Sequence, residues 1–147
     1  MRLKISVLLF TLWLSANAQT GLSVAQFFDG RFHKSEHAVV TLMKGKKLTP
    51  YNLSLFHSIS LDNSPEEVKL IEKAVLNDKN KARQVELVSA DNKVMACYLQ
   101  LPPEAPGSGL NRFILFRTPD NQKATLIYME GDTDLDSLIK IFINKKK

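Results

Sequence analysis

The segment His33-Lys34-Ser35-Glu36-His37 carries the spacing in this chain that comes nearest to building an enzyme. On a helix, imidazoles four residues apart share one face and can hold a zinc ion, with the glutamate beside them as general base; this is the H-x-x-E-H arrangement of inverted zinc peptidases. The flanks argue against such a helix. Gly30 weakens the turn before it, and Ala38-Val39-Val40-Thr41 after it is β-branched, so a helix-to-strand turn with solvated histidines is expected. Peptidases of that type are also much larger, and draw a third ligand from a distant helix. His33, Glu36 and His37 therefore stand only as weak candidates for a small metal-dependent hydrolase. No residue is assigned as catalytic, cofactor-binding or metal-ligating, and no cofactor is expected. His57, between Phe56 and Ser58, reads as structural.

Other motifs fall short on their spacing. Asp132-Thr-Asp134-Leu-Asp136 begins like a calcium loop, but Ser137 and Ile143 stand where the EF-hand pattern needs glycine and glutamate. Acidic residues opening a helix are expected in any case, because its N-terminal amides favour negative charge. Cys97 is the sole cysteine, which rules out an intrachain disulfide. It alternates with Met95, Leu99 and Leu101, so it reads as a core thiol with no activating base beside it in sequence. The basic runs at Lys44–Lys47, Lys79–Arg83 and Lys145–Lys147 read as solvated faces and a frayed tail. They offer contact with an anionic glycan or lipid, and no nucleic-acid interface, which would need one basic face with base-stacking residues.

The elements that must position these groups follow from periodicity. Ser23–Phe32 has helical spacing, and His37–Lys44 reads as a strand. Tyr51–Leu61 stays open: Tyr51, Leu53 and Leu55 alternate, whereas Leu55, Phe56 and Ile59 suit a helix. Ser64-Pro65-Glu66-Glu67 has the form of a capping box opening a helix that runs to about Asn80. Arg83–Ser89 and Lys93–Leu101 form a hairpin around Ala90-Asp91-Asn92; Arg112–Thr118 and Lys123–Glu130 form another around Pro119–Gln122. Between the hairpins lies a Pro/Gly-rich loop, Pro102–Asn111, exposed enough to touch a ligand or partner. Thr133-Asp134-Leu135-Asp136 opens a last helix to about Ile143, with Leu135, Leu138, Ile139 and Phe142 along one side. The expected fold class is α+β: an antiparallel sheet of about four to five strands, including the two C-terminal hairpins, with helices packed on one face.

The start of the chain reads as a cleavable signal peptide over residues 1–18. Arg2 and Lys4 precede an apolar Ile5–Leu14, then Ala16-Asn17-Ala18 offers small residues for cleavage before Gln19. A spanning helix needs roughly 20 apolar residues. Ile5–Leu14 is about half that, so no transmembrane segment is expected after cleavage. Residues 19–147 are expected to form one domain, with Lys145–Lys147 a frayed tail. Of 20 basic residues, removal of Arg2 and Lys4 leaves 18 against 15 acidic ones, a nearly balanced mature chain.

Four segments together are similar to small secreted proteins of gut Bacteroides-type bacteria, grouped in uncharacterised families of unknown function. They are Gly45-Lys46-Lys47-Leu48, Leu53-Ser54-Leu55-Phe56, Phe113–Arg117 and Leu126–Gly131. The resemblance covers most of residues 22–143 and rests on strand cores and the glycine before the last helix. It implies export from a Gram-negative cell and an α+β fold, brings no catalytic residues, and makes the Asn52-Leu53-Ser54 glycosylation sequon irrelevant. The leading expectation is a non-enzymatic binding or accessory module of the periplasm or outer surface, meeting an envelope protein or an anionic glycan or lipid. The alternatives are the hydrolase built on His33, Glu36 and His37, and a structural envelope protein assembling through a sheet edge.

Overall fold

A computed structural model describes residues 21–143, apart from Pro106 and Ser108. The signal-peptide reading of residues 1–18 and the tail Lys145–Lys147 lie outside the described residues. Six strands form one antiparallel sheet: β1 (Ala38–Lys44), β2 (Leu53–Leu61), β3 (Gln84–Ala90), β4 (Lys93–Leu101), β5 (Asn111–Asp120) and β6 (Lys123–Gly131). Their order across the sheet is β1-β2-β6-β5-β4-β3. After the β1–β2 hairpin, helix α1 (Pro65–Asp78) carries the chain across to the far edge. A four-strand meander then returns until β6 docks beside β2, and helix α2 (Leu135–Phe142) closes the domain.

Two expectations about the layers need correction. The sheet has six strands rather than four to five, because Leu53–Leu61 is a strand. Its alternation is broken by a bulge: Leu53 pairs with Gly131 and Leu55 with Glu130, so Leu53 and Leu55 reach opposite faces of the sheet. That phase change is why the segment fitted neither period. The helices, moreover, do not share one face. Val68, Ile71 and Val75 of α1, with Val24 and Phe27 of a 3-10 turn at Ser23–Phe28, pack on Leu99, Leu101, Ile114, Phe116 and Leu126. On the opposite face Leu135, Leu138 and Ile139 of α2, with Leu48 of a 3-10 turn at Lys46–Tyr51, pack on Tyr98, Phe113, Leu115 and Met129. The physical reason stands in the central strands. Phe113-Ile114-Leu115-Phe116 and Leu126-Ile127-Tyr128-Met129 are unbroken apolar runs, and a strand apolar at every position must be covered on both sides.

Local chemistry sets the joints. Asp91 and Asn92 both have positive φ (53° and 64°), so the β3–β4 hairpin turns in two residues with the mirror-image geometry that matches strand twist. The expected capping box at Ser64 does not form; the Ser64 hydroxyl donates to the Asp62 carbonyl at 2.7 Å instead. The last helix begins two residues later than Thr133, with Asp134 as its cap accepting from the Ser137 amide at 2.8 Å. Asp78 is the carboxylate that sequence reasoning passed over. It is fully buried at the end of α1 and accepts from the amides of Ser23 (2.7 Å) and Val24 (3.0 Å), tying the N-terminal turn to the helix.

Cys97 is fully buried on the α1 side of the sheet, and burial pushes its thiol up to about 11. A thiol reagent at neutral pH should therefore leave the folded protein unlabelled and react completely after denaturation. Cys97→Ala should cost on the order of 1–2 kcal/mol in chemical unfolding, as for a modest core truncation. Fast labelling of the native protein would reject the buried position.

Candidate functional site

The α1 face of the sheet changes character toward the end where β4 and β6 finish. Along β6, Ala124, Leu126 and Tyr128 face α1, and the next residue of that row is Glu130. Its cross-strand neighbour on β5 is Arg112, in the row of Ile114 and Phe116. On the other side of β6, His57 of β2 stands opposite Tyr128. Thus an apolar row ends in His57, Tyr128, Glu130 and Arg112, side by side across three strands.

Tyr128 links the core to this polar end. It is fully buried, and its hydroxyl donates to Glu130 Oε2 at 2.7 Å. Burial, and then that hydrogen bond to a carboxylate, push its phenol far above the ordinary range, so it acts as a donor at any physiological pH. Phe28 of the 3-10 turn lays its ring 4.4 Å from the His57 ring and 6.3 Å from that of Tyr128. Burial first, then the charges of His33 and Lys44, hold the His57 imidazole below its usual range. The unfolded chain therefore takes that proton more readily, and protonation of His57 costs stability as the pH falls through its ordinary range.

The loop between β4 and β5 closes the other side. Arg112 donates from Nε to the Pro102 carbonyl at 2.9 Å, which holds the loop to the sheet. Glu104, Ala105, Leu110, Arg112 and Glu130 then line a crevice of about 140 Å³. A carboxylate from the loop and another from β6 thus share the crevice with a guanidinium and two apolar loop side chains. Carboxylates accept from ligand hydroxyls or amines, the guanidinium donates in a planar fork, and the half-buried Phe28 and His57 rings nearby offer flat apolar contact, whereas the buried Tyr128 only positions Glu130. A wider cleft of about 670 Å³ lies at the opposite end of the strands, between Val68, Lys69 and Glu72 of α1 and the hairpin tips at Asn92–Met95 and Thr118–Asn121. The Thr118 hydroxyl there is engaged with the carbonyls of Asp120 and Lys123.

The H-x-x-E-H segment lies in turns, as its flanks implied. His37 approaches Asp62, Nδ1 to Oδ1 at 3.3 Å, whereas His33 stands in electrostatic reach of His57. The two histidines therefore serve different neighbourhoods. Among the described residues, no group of three or more His, Cys, Asp or Glu side chains is placed to hold a metal ion. Sequence reasoning missed Arg112, Tyr128 and Glu130. The available signal was parity: charged residues stand at positions whose row is otherwise core, two residues beyond Ile114 and Tyr128.

A family model matches residues 11–142, nearly the whole chain. The chain belongs to DUF6108, a family of unknown function. No curated protein matches it. Membership of DUF6108 agrees with the expectation of an uncharacterised family and attaches no chemistry to any residue, so the case for function in this DUF6108 domain rests on its own geometry.

Proposed function

We propose that this protein is exported by a Gram-negative bacterium of the Bacteroides type and works in the periplasm or on the outer surface as a non-enzymatic binding module. The basic start, the short apolar stretch and Ala16-Asn17-Ala18 support export. Among the described residues no helix is long and apolar enough to cross a membrane. N-terminal mass analysis of material from the native host should find Gln19 first; retained Met1 would overturn the export reading.

One observation carries the binding reading: a crevice lined by Glu104, Arg112 and Glu130, in which the buried Tyr128 hydroxyl fixes Glu130 and the half-buried Phe28 and His57 rings stand beside Tyr128. Donors, acceptors and ring faces set side by side suit the hydroxyls and acidic groups of a glycan. Among the described residues no Ser, Thr, Cys or Lys lines the crevice, and the Tyr128 hydroxyl that meets Glu130 is fully buried, which favours binding over turnover. Titration with a panel of neutral and acidic oligosaccharides, followed by amide chemical shifts, should move residues 102–112 and 128–131. Arg112→Gln and Glu130→Gln should each weaken binding about tenfold, the worth of one hydrogen bond to a charged group. Shifts confined to the cleft at Lys69 and Asn121, or cleavage of the sugars, would sink the reading.

A further inference from the structure

The two edges of the sheet are β1 and β3, and β3 is the more open of them. All seven of its residues are exposed, and it contributes nothing to the core on either face. Val85, Leu87 and Val88 are nonetheless large and apolar, 41, 46 and 48% exposed. Glu86 is the only charge within the strand, and it contains no proline. Soluble proteins usually blunt such an edge with lysine, proline, a bulge or a covering helix, because its outward amides and carbonyls invite another strand. The sheet does have a bulge here, between Val88 and Ser89, but the extra residue, Met95, belongs to β4. The outer rim of β3 is therefore uninterrupted.

We infer that β3 is the interface with a second copy of this chain, paired antiparallel to itself about a two-fold axis at Leu87. Opposite residues in an antiparallel pair share a sheet face, so a strand pairing with its own copy must centre on a residue and not between two. Three centres are open near the middle of β3, and charge separates them. Centring on Glu86 sets two like charges directly opposite, which is destabilising. Centring on Val88 shortens the ladder to Glu86–Ala90 and leaves Arg83 without Asp91 opposite it. Centring on Leu87 pairs Arg83 of each copy with Asp91 of the other, sets Leu87 on Leu87, and places Val85 against Ser89 and Glu86 against Val88. Arg83 already extends the sheet, its amide donating to the Gln100 carbonyl at 2.8 Å. Seven residues from each copy, Gln84–Ala90, would join in the ladder, with Arg83 of one copy facing Asp91 of the other just beyond either end; no like charges stand directly opposite, the two Glu86 side chains falling on a diagonal. The two sheets then continue into one of twelve strands, twice the six of a single copy.

The experiment uses protein expressed from all 147 residues and purified. Light scattering and sedimentation equilibrium should give twice the mass of one chain at concentrations of order tens of micromolar, the range expected of modest interfaces. Leu87→Lys should yield a monomer with an unchanged melting temperature, since Leu87 is already exposed. Under mild oxidation Leu87→Cys should form a covalent dimer, whereas Val85→Cys should link at least tenfold more slowly; the native Cys97 is buried and stays silent. Arg83→Glu, which sets a carboxylate against Asp91 of the second copy, should weaken association about tenfold at low salt, and less at high salt. A monomer at about 100 μM, a Leu87→Lys protein that stays dimeric, faster linkage through position 85 than 87, or open-ended oligomers growing through β1 would overturn the inference.

Discussion

A chain ending at Gly131 should fail to fold. It lacks the last helix with its capping segment and the tail, and Leu135 and Leu138 of that helix are fully buried and Ile139 is nearly so. Burying each such side chain is worth about 1.5–3 kcal/mol, roughly 5–9 kcal/mol for the three. A whole domain is stable by only about 5–15 kcal/mol. Removal also strips the cover from Phe113, Leu115 and Met129 on the second face, which would then meet water. The truncated protein should show no cooperative thermal transition by circular dichroism, and should bind a hydrophobic dye. A chain lacking only Lys145–Lys147 serves as control and should melt like the parent. Cooperative melting of the truncated protein at the parental temperature would make α2 an appendage and refute the two-faced core.

Gly131→Ala should be the most damaging single methyl in the protein. The glycine has ordinary backbone angles, so its role is space. A Cβ there would lie 2.3 Å from the Asn52 carbonyl oxygen and 2.8 Å from Leu53 Cα, both backbone atoms. Neither can retreat cheaply. Asn52 is held in a left-handed conformation (φ 59°), its amide bonded to the Thr49 carbonyl at 2.9 Å, and its carbonyl accepts from Asp132 at 2.9 Å. The clash also falls on the bulge that sends Leu53 to one core and Leu55 to the other, so relief would disturb both. Overpacking of this kind costs about 1–3 kcal/mol, and against backbone atoms the upper end or more is expected. The melting temperature should drop by about 10 °C or more. A drop under about 2 °C would mean the joint between β2 and β6 is loose.

Much of this architecture is legible in local chemistry. Alternation marks β4, the pair Asp91-Asn92 takes the positive φ that a two-residue hairpin needs, Pro65 with its acidic neighbours opens α1, and the Leu135–Phe142 stripe marks α2. These are decisions made within one turn or one strand, by sterics and solvation acting on near neighbours. The turn at His33–His37 belongs to the same class of reading. What no local pattern could decide is which element lies on which face. α1 and α2 each present an apolar stripe, and only the route of the chain, across one face to β3 and back through the meander to β6, sends them to opposite sides. The bulge at Leu53–Leu55 lies beside a contact no local pattern shows, the Asn52 carbonyl packed against Gly131 and accepting from the Asp132 amide. The polar end of the α1 face is likewise a product of register. Arg112, Tyr128, Glu130 and His57 come from three strands and meet only because β6 pairs with β5 on one side and β2 on the other. Periodicity tells each residue which side of its own strand it occupies; cross-strand hydrogen bonding tells it who stands beside it, and a candidate site is made of neighbours.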